Sequence, residues 1–201
     1  MTRIKFCGLT RPQDLIVAAE VGVDAVGFVL WANSPRGVGL DRTAELVAQL
    51  PKAITPVGVF VQPSRDEILQ AVNVARIRVA QVHGLDDVTE LGELPCELWV
   101  AMPVGGNIER IPAGATILLD AHDPQRYGGT GKTIDWDAAG RIAATRRVML
   151  AGGLTPDNVG EAIRRARPHG VDVSSGIEEH PGIKDARLMR AFANAVRFAA
   201  E

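Results

Sequence analysis

Three residues of this 201-residue chain end apolar runs or closely follow them, where the backbone turns and a side chain can meet a ligand. Cys7 closes the run in "IKFCGLT", Arg36 stands in "NSPRGV" shortly after "AVGFVL", and Asp120 closes "TILLD". Each type brings its own chemistry. A cysteine thiolate takes a proton from carbon or attacks an electrophile, and a nearby cation or helix terminus lowers its pKa. Cys7 is therefore open to three readings: it packs, it binds a metal, or it does chemistry. A carboxylate at the tip of an apolar strand is partly desolvated, which raises its pKa and suits it to proton donation. Asp120 is equally open to capping a neighbouring loop or pairing with Arg126 or Lys132. Arg36 offers a planar fork to a carboxylate. His83, in "AQVHG", hydrogen-bonds a substrate or holds a loop. With Cys7 and Asp120 it would make a metal site, but no close His/Cys ligand spacing supports one. His122 and His180 lie in polar loop sequence, and Cys96, after Pro95, is assigned no role.

The elements that must position these residues follow from the hydropathy pattern. Eight apolar runs of strand length fall at Arg3–Phe6, Ala25–Leu30, Thr55–Val61, Val79–His83, Glu97–Met102, Thr116–Asp120, Arg147–Leu150 and Gly170–Val173. Several are apolar on both faces, as in a parallel sheet covered by helices. Between them lie amphipathic segments with helix start signals: one beginning near Pro12, "LDRTAELVAQL", "PSRDEILQAVNVA", "TPDNVGEAIRRA" and "KDARLMRAFANAVRFA". The segments after the fourth and fifth strands carry the weakest helix signals. Eight strand-helix units spanning residues 1–201 predict a single-domain (β/α)₈ TIM barrel, compact for its class, with an open doubly wound sheet as the architectural rival.

In a barrel the active site sits at the C-terminal ends of the strands, which gathers Cys7, Arg36, His83 and Asp120 at one rim. The last two strands add "LAGGLTPDNV" and "VDVSSGIE". Their Gly152, Gly153, Ser175 and Gly176 let backbone N–H groups approach a ligand closely, and phosphate after strands seven and eight recurs in this fold. The alternative is that the glycines only make tight turns. "YGGTGKTIDW" in the sixth loop lacks the Walker spacing and reads as a mobile lid or a plain connection.

Composition narrows the partners. A formal net charge of -2 without lysine or arginine runs points away from nucleic acid and a polybasic membrane patch. There is no secretory signal pattern and no apolar stretch near the ~20 residues of a membrane span, so a cytoplasmic location is expected. The two cysteines are expected to be free thiols. The expected partner is a small phosphorylated substrate.

Jointly, "IKFCGLT", "GFVLWANSPRGV", "AQVHG", "LLDA…YGGTGKTIDW", "LAGGLTPDNV" and "DVSSGIEEHPGIKD" resemble, in order and over the whole chain, the motifs of the phosphoribosylanthranilate isomerase family. The resemblance implies a (β/α)₈ barrel of tryptophan biosynthesis that catalyses an Amadori rearrangement of N-(5-phosphoribosyl)anthranilate. It implies Asp120 as general acid toward the ring oxygen and Cys7 as general base at the sugar C2. It further implies Arg36 on the anthranilate carboxylate, and Gly152, Gly153, Ser175 and Gly176 around the phosphate. No metal or organic cofactor is expected, and the protein is expected as a monomer or homodimer. Gly37 stands where the family has an aromatic or hydrophobic residue and is expected to loosen the loop carrying Arg36. Ile134 stands where phenylalanine is common. The alternatives are a histidine-pathway type phosphosugar isomerase, whose acid-base pair is two aspartates, and a non-catalytic phosphate-ligand barrel.

Overall fold

Successive side chains on a strand point to opposite faces, and here both faces are buried, so the apolar runs become the staves of a closed barrel. The computed structural model describes residues 1–121 and 134–199. Eight parallel strands close in chain order: β1 (Arg3–Cys7), β2 (Ala25–Val29), β3 (Thr55–Val61), β4 (Val79–His83), β5 (Glu97–Met102), β6 (Thr116–Leu119), β7 (Val148–Leu150) and β8 (Gly170–Val173). The barrel predicted from sequence is thus observed, with strand ends within one residue of expectation. Ile4, Phe6, Val26, Phe28, Ile117, Leu119, Val171 and Val173 face outward into the helix-covered core. Cys7, Ala25, Val57, Val59, Trp99, Leu118 and Met149 fill the interior.

Among the described residues, six α-helices wrap the barrel: α1 (Pro12–Glu20), α2 (Leu40–Val47), α3 (Arg65–Ala75), α4 (Trp136–Ala143), α5 (Val159–Ala166) and α6 (Ala186–Ala199). Local signals set their starts. Ser64 and Glu67 form a reciprocal capping box on α3, Asp135 accepts from the first amides of α4, and Pro12 opens α1.

The expectation of eight regular strand-helix units needs correction at two places. After β4 and β5 there are only 3₁₀ turns, Val88–Leu91 and Ile108–Arg110. Gly84, Gly92 and Pro95 interrupt the first of these segments; Pro103, Gly105, Gly106, Pro112 and Gly114 interrupt the second. Neither leaves a run long enough for a helix. After β8 the chain forms a small antiparallel hairpin, β9 (Glu178–His180) and β10 (Ile183–Lys184), that returns toward the rim. No helix among the described residues is long and apolar enough to cross a membrane.

Candidate active site

Cys7, Arg36, His83, Asp120, Gly152, Gly153 and Ser175 line one cavity at the C-terminal mouth of the barrel. Alternation explains part of this. Lys5 and Cys7 on β1, Gln81 and His83 on β4, and Asp172 on β8 share the inward parity, so they stack upward from the barrel interior to its mouth.

Cys7 is a free, buried thiol at the end of β1. Burial pushes its pKa up, the Lys5 and Lys184 ammonium groups pull it down, and Asp172 pushes it up; the net direction is upward. Cys7 is thus packed as a buried side chain and also lines the cavity. Asp120 lies one residue beyond β6. Burial raises its carboxyl to about 6; its Oδ1 accepts from the Ala121 amide at 2.7 Å, which acts in the opposite sense. Arg126 and Lys132, its alternative partners, lie outside the described residues, as do His122 and most of the Gly-rich sixth loop. Burial also holds His83 neutral, with a pKa lowered to about 4. Its Nε2 lies 2.9 Å from the Gln81 side-chain nitrogen.

Arg36 presents a fork, but one edge is already taken. Its Nε and Nη2 donate to the two oxygens of Glu178 at 2.8 and 2.7 Å. Glu178 in turn accepts from the Lys184 ammonium at 2.8 Å. Burial alone would raise the Glu178 carboxyl; the two cations outweigh it and hold it low. Glu178 thus occupies the Nε–Nη2 edge of the guanidinium. Gly8, at φ +73°, makes room for the arginine, since a Cβ there would lie 2.7 Å from Arg36 Cδ.

The expectation that Gly37 loosens this loop is overturned. Its amide donates to the Ser34 carbonyl at 2.9 Å and the next amide returns to Val29, so Gly37 closes a tight turn. A Cβ there would sit 2.8 Å from the Trp31 carbonyl oxygen.

Both small-residue loops reach the cavity, Gly176 excepted. Gly152 and Gly153 take positive φ and line the cavity, alongside Ser174 and Ser175. Gly176 does not line it. A Cβ on Gly176 would lie 1.9 Å from the Leu154 carbonyl oxygen, so this glycine lets the β8 loop rest on the β7 loop. Among the described residues no cluster of three His, Cys, Asp or Glu side chains could hold a metal ion. Cys96 is half-buried just before β5, at the far end of the barrel, and His180 is exposed on β9.

Sequence reasoning missed Lys5, Gln81, Asp172, Glu178 and Lys184. Lys5 is 0% exposed and its ammonium pairs with Asp172 at 2.8 Å. A charged residue of inward parity inside a two-sided apolar strand was the available signal.

The family model for N-(5'-phosphoribosyl)anthranilate (PRA) isomerase matches residues 4–195. An N-(5'-phosphoribosyl)anthranilate isomerase of Rubrobacter xylanophilus is 40% identical over 205 residues, covering 98% of this chain and 100% of the relative. The crystal structure of phosphoribosyl anthranilate isomerase from Thermus thermophilus superposes with a TM-score of 0.88 at 33% identity, over 98% of this chain and 99% of that one. A further structure of such an isomerase, in complex with reduced 1-(o-carboxyphenylamino)-1-deoxyribulose 5-phosphate, gives a TM-score of 0.84 at 30% identity, over 98% and 100% of the two chains.

Proposed function

The chain belongs to the phosphoribosylanthranilate isomerase family, and from that premise we propose how its barrel mouth carries out the reaction. It is an isomerase of tryptophan biosynthesis, converting N-(5'-phosphoribosyl)anthranilate to 1-(2-carboxyphenylamino)-1-deoxyribulose 5-phosphate. The observation that carries the mechanism is that a protonatable carboxyl and a thiol open into one cavity with two glycine-bearing loops and an arginine fork.

Asp120 gives its proton to the furanose ring oxygen as the C1–O bond breaks, and the anthranilate nitrogen supplies the electron pair that makes the iminium. The Cys7 thiolate then removes the C2 proton. The C–H electron pair forms C1=C2 while the iminium pair returns to nitrogen, giving an enolamine. Ketonisation moves a proton onto C1 and releases one from the C2 hydroxyl. The substrate nitrogen is the electron sink, so the chemistry calls for no added cofactor.

Gly152, Gly153 and Ser175 hold the phosphate through the loops that Gly176 keeps in contact, and Arg36 takes the anthranilate carboxylate on the edge Glu178 leaves open. We read the protein as a monomer or a homodimer. A free catalytic thiol suits a reducing cytoplasm.

Because the acid titrates below the base, the working enzyme is the minority form with Asp120 protonated and Cys7 ionised. Burial makes that thiolate a stronger base than a free one, which favours the proton transfer once it forms. The test is the fluorescence decay of freshly prepared phosphoribosylanthranilate with the wild type and with Cys7→Ser. Enzyme-dependent decay that falls ~100-fold or more in the variant supports the base. Near-full turnover by Cys7→Ser removes the thiol from this role.

A further inference from the structure

A lysine buried inside a barrel is an unusual choice for stability. Its desolvation cancels much of what an ion pair returns, and apolar side chains of similar volume commonly do as well. Lys5 nevertheless sits wholly buried between Ile4 and Phe6. The register of β1 with β8 sets it opposite Asp172, and that of β1 with β2 sets Cys7 opposite Gly27. Gly27 is the informative neighbour. A Cβ on it would come within 3.0 Å of both the Cys7 Sγ and the Lys5 Nζ, and within 3.1 Å of Lys5 Cε. The missing side chain is thus the space that sulfur and ammonium share, in a strand whose other inward positions, Ala25 and Val29, carry side chains.

We propose that Lys5 is a positioning residue for the isomerisation: clamped by Asp172, its ammonium lies against the Cys7 sulfur in the notch left by Gly27 and stabilises the thiolate that takes the sugar's C2 proton. This rests on the reading of Cys7 as the base. When Cys7 ionises, its proton leaves to solvent and the S⁻ charge forms beside an existing cation. In turnover the C2–H bond breaks, an S–H bond forms, and Lys5 keeps its own protons throughout.

The charges facing the sulfur are consistent with this. On its own strand there is Lys5, on β8 Asp172, on β10 Lys184 and in the loop after β2 Arg36. Asp120 beyond β6 and neutral His83 on β4 complete the ring, and both feel Lys5. Burial pushes the Lys5 ammonium toward neutrality, but Asp172 and Cys7 outweigh it, so Lys5 remains a cation. Lys5 is the largest influence opposing burial of the thiol, ahead of Asp172, which acts in the contrary sense.

Opposite charges at this range shift a titration by about 1–3 pH units, and that shift is the readout. In a Cys96→Ala background Cys7 is the only thiol, and the pH midpoint of its alkylation by iodoacetamide reports its ionisation without any turnover. Lys5→Met is expected to raise the midpoint by about one unit or more, lowering kcat/KM at neutral pH by about tenfold while activity recovers at higher pH. Asp172→Asn is expected to lower the midpoint. If Lys5→Met does not fold because Asp172 is left unpaired, the double variant Lys5→Met/Asp172→Asn carries the test, and its midpoint is still expected above wild type. A folded lysine variant whose midpoint stays at the wild-type value overturns the role of Lys5 and leaves Cys7 as base untouched. A shifted midpoint together with full turnover by Cys7→Ser overturns the reading beneath the proposal.

Discussion

The arc of the barrel formed by β8, β1 and β2 differs in kind from the arc formed by β4, β5 and β6. The first is tied by charge. Lys5 pairs with Asp172, Arg36 with Glu178 and Lys184 with Glu178, all at 2.7 to 2.8 Å, and the Ser174 hydroxyl donates to the Cys7 carbonyl at 3.2 Å. Among the described residues, no ion pair involves residues 79–121, and β4 and β5 are followed only by 3₁₀ turns. The two arcs therefore oppose the burial of their functional groups by different means. The thiol sits among cations that partly oppose its burial, whereas burial of Asp120 is opposed first by one backbone amide and less by Lys5. Both groups end above their ordinary values, but the cations restrain the rise at the thiol, which a base needs, and the carboxyl keeps the raised value that an acid needs.

The largest expected effect tests the uncompensated arc. Asp120→Asn should lower kcat ~100-fold or more, because the amide has no proton to give the ring oxygen at that step. The same variant should be more stable than wild type at pH 8. The folded-state carboxyl, at about 6, lies above its ordinary 3.8. Its proton-linked stabilisation is complete below about pH 4 and is lost as pH rises through 6, where the buried charge becomes a cost. Urea midpoints should thus favour the variant by ~1–3 kcal/mol at pH 8 and converge near pH 4. Equal stability at both pH values would mean that Asp120 has a partner and the arcs do not differ. Next in size, Gly176→Ala tests the ordered arc. A methyl 1.9 Å from the Leu154 carbonyl must separate the two loops. Thermal unfolding should report a loss of about 1–3 kcal/mol or more, and KM for the phosphorylated substrate should rise. A silent substitution would show that the loops are not pinned.

The same contrast explains what the sequence disclosed. All eight strands are legible because parallel strands buried on both faces read as continuous apolar runs. Cys7, Arg36 and Asp120 are legible because the barrel fixes which strand ends form the mouth. What stayed hidden is nearly all on the charged arc. Lys5 and Asp172 are 167 residues apart, and their meeting depends on the closing register of the first and last strands, which no local pattern encodes. Glu178 and Lys184 reach the rim only through the hairpin after β8, so the prior claim on one edge of Arg36 was equally invisible. The helices expected after β4 and β5 fail for a local reason, the density of Gly and Pro, which could have been weighed from sequence. The lid reading of the sixth loop falls largely on residues 122–133, outside the described residues.

A smaller effect is expected where the ordered arc meets the substrate. Arg36→Lys keeps the charge but cannot serve Glu178 and a ligand carboxylate from two edges of one plane. KM should rise by about tenfold with kcat changed only a few-fold, the signature of lost uniform binding. A fall in kcat with unchanged KM would instead place Arg36 in the transition state alone.

The smallest effect belongs to His83, and it decides whether the β4–β6 arc holds a second titrating group. The imidazole is neutral above about pH 4 and its Nε2 faces the Gln81 amide nitrogen at 2.9 Å. With that nitrogen as donor, the ring proton is on Nδ1, and His83 serves as a neutral hydrogen-bonding group. One neutral hydrogen bond is worth ~0.5–1.5 kcal/mol, so His83→Gln should cost kcat/KM about three- to tenfold. The limbs of the pH profile should stay where they are, because no proton is exchanged at this ring in the working range. Loss of a limb in His83→Gln would put acid-base chemistry on the ring. The acid side would then be built from two titrating groups, and Asp120 would no longer stand alone.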